Sequence, residues 1–255
     1  MENRKAFDYA ISFIRGNITI SLIAVTILMI LSLMKQTGGI AGVLFVIVYS
    51  ILATSIQIYV AKSAYEADSS QDMSSKAEKS KLSSLLFKHI GIATGSSLGL
   101  LILMSALLIP FSYMFAQSAG EELMREVMEK GITDNFIIFL QSWKAQKIIL
   151  SLMSILAIVS YIMPAVMGKS YISDSFSQAF GRVFLIFSPS LWKSSFNKNY
   201  FTLIVIWSIV VSIAFLLIME MSKILYLLPI VLIASYTVSL YNGILYIFSL
   251  STLSE

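Results

Sequence analysis

The chain has 255 residues, 57% hydrophobic and only 13% charged, with a mean hydropathy of +0.84. Soluble domains carry about 25% charged residues, so half of the usual charge is missing and what remains clusters between long apolar runs, the pattern of a membrane protein. Cysteine is absent and His89 is the only histidine. These counts exclude a disulfide, a thiolate nucleophile, a Cys/His zinc site and an iron–sulfur centre built from this chain alone. The net charge of +4 is spread over several loops, which suits anionic lipid headgroups better than nucleic acid.

The N-terminus has Arg4, Lys5 and Arg15 ahead of an apolar run, but no small-x-small cleavage pattern follows. It is read as a retained first helix. Phe7, Ile11, Ile14 and Ile18 share one helical face, predicting a short interfacial helix that runs into span one, residues 18–34. The turn KQTGG returns the chain as span two, residues 40–61. The serine-rich stretch 62–80 is expected to be a mobile polar loop. Leu82, Leu85 and Leu86 form an amphipathic lead-in to span three, residues 89–113. In that span Gly91, Gly95 and Gly99 recur every fourth residue, a glycine zipper that lines bare backbone along one face. In lipid, helices associate by close packing, so the strip is expected to admit a neighbouring helix, from the same chain or from a second copy.

GEELMREVMEKG predicts an amphipathic helix with Leu123, Met124, Val127 and Met128 as its stripe. Phe136–Leu140 and Trp143 are aromatic enough for a headgroup boundary, and span four covers residues 148–167. Phe176, Phe180, Val183, Phe184 and Phe187 then recur at helical spacing opposite Asp174, Ser177, Gln178 and Arg182, predicting a helix in the membrane surface. Ser188-Pro189 restarts a helix, with Ser as N-cap and Pro in the first turn. Span five (200–219), the turn EMSK and span six (224–248) complete the chain. Pro110, Pro164 and Pro229 lie in or near span ends and are expected to kink the helices or free carbonyls.

Six spans put both termini on one side. That side carries 12 Lys and Arg against six on the other (Lys35, Arg125, Lys130, Lys144, Lys147 and Lys223), so the positive-inside rule places both termini in the cytoplasm. Three times a short amphipathic helix precedes a pair of spans, at 4–61, 76–167 and 188–250. The first and third lead-ins share a phenylalanine before an asparagine: Phe13 with Asn17 and Phe196 with Asn199. Such units would be parallel repeats about an axis along the membrane normal.

The segments PAVMGKSYISDSFSQAF and LWKSSFNKNYFTLIVIW resemble the YciC-like group of bacterial inner-membrane proteins. Pro164, Ala165, Ser175, Phe176, Ser195, Phe196 and Asn199 carry the likeness, and LSSLLFKHIGIATGSS resembles an earlier segment of that group. The resemblance covers about half of the chain and implies six helices in a cytoplasmic membrane, without an activity. The long outer loop containing GEELMREVMEKG departs from the compact hairpins it would imply.

Inside the spans no Asp, Glu, Lys or Arg occurs apart from Glu220 and Lys223 at the outer turn, which weighs against ion-coupled transport. The polar residues there are hydroxyls and amides, with Gln57, Tyr241 and Asn242 as a candidate polar groove for a headgroup or small solute and otherwise interhelical hydrogen bonds. His89 is read as an interfacial residue beside Lys88. HExxH, GxSxG and P-loop motifs are missing, so no catalytic, cofactor or metal residues are assigned. The resulting expectation is an all-α polytopic protein forming one transmembrane domain over 1–255. It is expected to be non-catalytic and to bind membrane lipids or a membrane-protein partner through Phe176, Phe180, Phe184 and Phe187 on one surface and Leu123 and Val127 on the other. Self-association through Gly91, Gly95 and Gly99 is a further expectation. The alternative readings are a permease subunit docking an ATPase and a channel for a small neutral solute.

Overall fold

The computed structural model describes residues 2–34, 38–224 and 227–253, so the first three residues of KQTGG, Lys35 among them, lie outside the described residues, as do positions 225–226 of span six. All regular structure among the described residues is helical: α1 (Glu2–Gly16), α2 (Ile18–Met34), α3 (Gly39–Tyr65), α4 (Ser70–Glu78), α5 (Leu82–Phe87), α6 (Ile90–Ala119), α7 (Glu121–Lys130), α8 (Asp134–Gln141), α9 (Trp143–Tyr171), α10 (Phe176–Val183), α11 (Pro189–Ser195), α12 (Lys198–Ser222) and α13 (Leu228–Phe248). Short 3₁₀ turns follow α10 (Phe184–Phe187) and α13 (Ser251–Leu253).

Five helical stretches among the described residues are long and apolar enough to cross a membrane: Gly39–Tyr65, Leu82–Ala119, Trp143–Tyr171, Lys198–Ser222 and Leu228–Leu253. A sixth is reached when α1 and α2, which meet at 100°, are taken as one broken span. Helices suit this setting because all their backbone hydrogen bonds are internal. The chain is therefore an all-α polytopic membrane protein. Both internal prolines, Pro110 in α6 and Pro164 in α9, lie within helices that continue past them. Pro229 falls in the first turn of α13, where its missing N–H costs nothing.

Backbone proximity divides the chain into two compact units, Met1–Gly99 with Met163–Glu255, and Leu100–Ile162. In the first, α3 and α13 lie side by side, so close that a methyl on Gly243 would come within 3.0 Å of Gln57 Cβ, tighter than ordinary contact. Around this pair α1, α2, α4, α5 and α12 bury Tyr9, Phe13, Ile56, Met73, Leu85, Leu240 and Ile244. A second cluster gathers Ile58, Ala61, Ile92, Ala93, Met167, Tyr171, Ala179 and Ile247. The smaller unit holds α7 and α8, with Phe115 edge-on to Phe136 and Phe139 (ring centroids 6.2 and 5.1 Å). Gly120 and Gly131, at φ 84 and 79°, bound α7. Met128 is 83% exposed, outside the stripe that Leu123, Met124 and Val127 form.

Several expectations are corrected. The serine-rich stretch is not a loop: Ser69 Oγ accepts from Asp72 N (3.2 Å) and caps α4, whose Met73 and Ala77 are fully buried. Seating an apolar pair four residues apart is what a helix allows and a loop does not. On α1 the face packed into the protein is Ala6, Tyr9, Ala10 and Phe13, distinct from the Phe7, Ile11, Ile14 and Ile18 face expected to meet the membrane surface. The two alanines let α1 lie close to its neighbours, leaving Phe7 and Ile18 outward. Pro189 does open α11, but Ser188 Oγ pairs with Ser190 Oγ (2.9 Å) and makes no capping bond. The counterpart of Asn17 is Asn197, not Asn199. Asn17 Oδ1 accepts from Ile20 N (3.1 Å) and Asn197 Oδ1 from Tyr200 N (2.8 Å), each three residues on. Phe13 is buried whereas Phe196 is exposed, so the likeness of the two lead-ins lies in the cap.

Candidate functional site

The helix that follows span four, α10, begins at Ser175, whose Oγ accepts from Gln178 N (3.4 Å). Gln178 Oε1 in turn accepts from Asp174 N (3.3 Å). This is a Ser-x-x-Gln capping pattern, with two otherwise orphaned N–H groups satisfied by one short sequence. Ala179 and Val183 are fully buried, against the glycine strip of α6. Gly95 meets the carbonyl oxygen of Phe176 and lies 3.1 Å, at its missing Cβ, from Phe180 N. A methyl at Gly99 would lie 3.0 Å from Val183 Cβ and Cγ2. Gly91 has nothing within 4 Å. The neighbour on the strip is thus a surface helix of the same chain at two of the three glycines.

Two hydrogen-bonded ties hold α10 in place. Ser170 Oγ donates to Ala179 O (2.8 Å), and since a hydroxyl has one proton, Ser96 Oγ donates to Ser170 Oγ (2.7 Å), joining α6, α9 and α10. Arg182 Nη1 donates to Lys169 O (2.9 Å), a carbonyl in the last turn of α9 that also accepts from Ser173 Oγ (3.3 Å). With its inner face fixed, α10 turns its aromatic side outward. Phe176 stacks on Phe180 and Phe180 packs edge-on to Phe184 (centroids 6.1 and 5.4 Å). Phe176 and, past the 3₁₀ turn, Phe187 are 44% and 69% exposed.

Several polar residues of the spans pair between helices, whereas the buried hydroxyls of Ser21, Ser55 and Tyr236 make no hydrogen bond among the described residues. Gln57 accepts from Tyr171 Oη (2.7 Å) and donates to Ser239 Oγ (2.8 Å), linking α3, α9 and α13. Asn242 accepts from Trp207 Nε1 (2.8 Å), and Tyr241 Oη donates to Asn3 Oδ1 (2.6 Å). Ser97 donates to Thr54 (3.2 Å). Gln57, Tyr241 and Asn242 thus have separate partners. His89 packs against the ring of Tyr59 (centroids 6.2 Å), over which Lys88 also lies.

An open groove of about 480 Å³ lies where α9, α10, α11 and the C-terminal 3₁₀ turn converge. Its polar lining is Lys169, Arg182 and Ser194, and its apolar lining is Ile172, Leu185, Leu250 and Leu253. Lys62 Nζ donates to Ser173 O (3.1 Å) just past the end of α9. Sequence reasoning placed Arg182 on the polar face of its helix and did not bring it to Lys169. The spacing of thirteen residues crosses a chain reversal, and no helical period spans that. It also missed Gly16, Gly168 and Gly243. Each meets another segment at contact distance or closer, Gly168 reaching Tyr246 O and Gly16 reaching Ser74 O.

The framework combines outward phenylalanines, a seated helix and an open cationic groove with apolar walls. Among the described residues, no cluster of three or more His, Cys, Asp and Glu side chains is arranged to hold a metal ion. No protein-family model, no curated protein and no solved structure matches the chain.

Proposed function

We propose that this chain is a non-catalytic module of a bacterial cytoplasmic membrane that binds lipid at the membrane surface, with both termini in the cytoplasm. The observation that carries the reading is α10. It is fixed by two hydrogen-bonded ties and by close approach to Gly95 and Gly99, and it spends its outward side on Phe176, Phe180, Phe184 and the following Phe187. A rigid aromatic row at the end of a span suits the boundary of headgroups and acyl chains, where an interfacial helix buries its apolar face. The Lys and Arg bias, 12 against six, supports the orientation, as do contacts that gather the chain ends: Tyr9 lies edge-on to Phe248 (6.1 Å) and Asn197 Nδ2 donates to Thr252 O (2.8 Å).

The test is hydrogen exchange at the amides of residues 176–183 in phospholipid nanodiscs. Phe176 and Phe187 are the exposed members of the row, so Phe176→Asp with Phe187→Asp leaves the seat of α10 intact. Exchange there should speed by about tenfold or more, the equivalent of ~1.4 kcal/mol. Unchanged protection in the double variant refutes lipid contact through this row. A partner protein is favoured if protection instead appears only when a second membrane protein is present.

A further inference from the structure

We propose that the groove at the end of α9 holds the phosphate of an anionic phospholipid headgroup, with Lys169 and Arg182 on the phosphate oxygens and the acyl chains leaving along Leu185 and Leu250. This rests on the lipid-binding reading above and names the lipid class. Charge is the first argument. The groove is lined by two cations and by no carboxylate, and among the described residues neither cation has a carboxylate oxygen within 4 Å. The ion pairs found among those residues lie elsewhere, at Arg4–Asp8, Lys76–Asp72 and Lys223–Glu220.

Preorganisation is the second. One N–H of Arg182 is committed to Lys169 O, which pins the guanidinium fork while its remaining N–H groups stay available. A fixed planar fork loses little freedom on gripping a phosphate. That bond uses the backbone oxygen of Lys169, so the Lys169 ammonium is left for the ligand. Both residues are half-buried, and a phosphate between them is less screened than on an open surface.

Position is the third. The cations lie at the end of a membrane-length helix, with apolar walls on the same groove, which is the layout of a lipid: charge at the boundary, hydrocarbon beyond. Basic pockets between spans are the usual seats of anionic headgroups. A choline or ethanolamine headgroup would bring a third positive charge to these two cations, so the groove should discriminate between phospholipids.

The experiment uses the full-length protein in detergent, with native mass spectrometry against phosphatidylglycerol, phosphatidylcholine and free glycerol phosphate. Phosphatidylglycerol should bind about tenfold more tightly than phosphatidylcholine, and Lys169→Gln should weaken it about fivefold, as expected for one cation at the headgroup layer. Lys169→Arg should restore it, and Lys193→Gln, an exposed cation outside the groove, should leave it unchanged. Arg182→Gln also removes a bond to α9, so the Lys169 series decides. Equal retention by Lys169→Gln and wild type overturns the site while leaving lipid binding at α10 standing. Equal affinity for phosphatidylcholine, or Lys169-dependent binding of glycerol phosphate as tight as that of the lipid, also overturns it. Absence of any lipid retention by wild type overturns both readings.

Discussion

Replacing single glycines of the α6 strip by alanine tests the packing of α10 with an internal control. Each substitution brings the same helix-propensity gain, up to about 1 kcal/mol, so that term cancels between sites. At Gly91 nothing lies within 4 Å of the new methyl. At Gly95 the methyl would overlap the carbonyl oxygen of Phe176 and approach Phe180 N at 3.1 Å, both backbone atoms of α10. Backbone cannot rotate away as a side chain can, so α10 must shift as a body. That shift stretches the Ser170–Ala179 O and Arg182–Lys169 O bonds, 2.8 and 2.9 Å long.

Overpacking costs about 1–3 kcal/mol, and weakening two hydrogen bonds adds about 1 kcal/mol. The expected gap between Gly95→Ala and Gly91→Ala is therefore roughly 2–4 kcal/mol, or about 5–15 °C in melting temperature for a chain of this size. Gly99→Ala should fall between them, because its methyl would lie 3.0 Å from Val183 Cβ and Cγ2 and 3.1 Å from Phe180 O, tight but without the overlap met at Gly95. Thermal melts in one detergent, followed by near-UV circular dichroism, give the ranking, and exchange at residues 176–183 locates the damage. If Gly95→Ala melts within ~1 °C of Gly91→Ala with α10 exchange unchanged, α10 is not seated on the strip.

Two further outcomes follow from the hydrogen bonds. Gln57→Leu leaves Tyr171 Oη, on a side chain only 1% exposed, without its acceptor and should cost about 1–3 kcal/mol. In a Tyr171→Phe background the loss should shrink by more than half, and an undiminished loss in that double-mutant cycle would refute the pairing. Asn197→Ala removes the cap of α12 together with the bonds to Ser194 O and Thr252 O (both 2.8 Å). It should cost about 1–2 kcal/mol, measured by denaturation in the same detergent, and a change under ~0.3 kcal/mol would count against the cap.

The spans were legible because hydrocarbon imposes a length and forbids charge. Boundaries were less so: α9 begins at Trp143 and ends at Tyr171, beyond residues 148–167, since the hydropathy of Trp143, Lys144 and Lys147 hides helical continuity into the polar layer. The α4 helix was illegible because Met73 and Ala77 alone are too weak an apolar signal among serines, and the cap at Ser69 gains meaning only once those two are buried. The glycine strip could be read from its spacing, but its occupant could not, because α10 reaches it after a chain reversal. The cationic groove was the least legible part, being assembled from four segments with no shared period.

One regularity runs deeper than hydropathy. After α3 the chain passes Asp68-Ser69, and after α9 it passes Asp174-Ser175. Each serine caps the helix that follows, and each backbone N–H just before it is accepted by the side chain four residues on, from Asp72 (3.3 Å) and from Gln178 (3.3 Å). The two capped helices then bury a pair of residues four apart, Met73 with Ala77 and Ala179 with Val183. Each presses backbone against a glycine of an earlier helix, Ser74 against Gly16 and Phe176 against Gly95. Two segments of unlike composition thus reach one local solution to the same problem, a span that must end, reverse and pack its continuation where water begins. What differs between them is the outward face. On α4 it is polar, with Lys76 paired to Asp72 at 3.6 Å. On α10 it is aromatic and flanked by Arg182 and Lys169, and this is why the lipid site is assigned to α10 rather than to its structural counterpart.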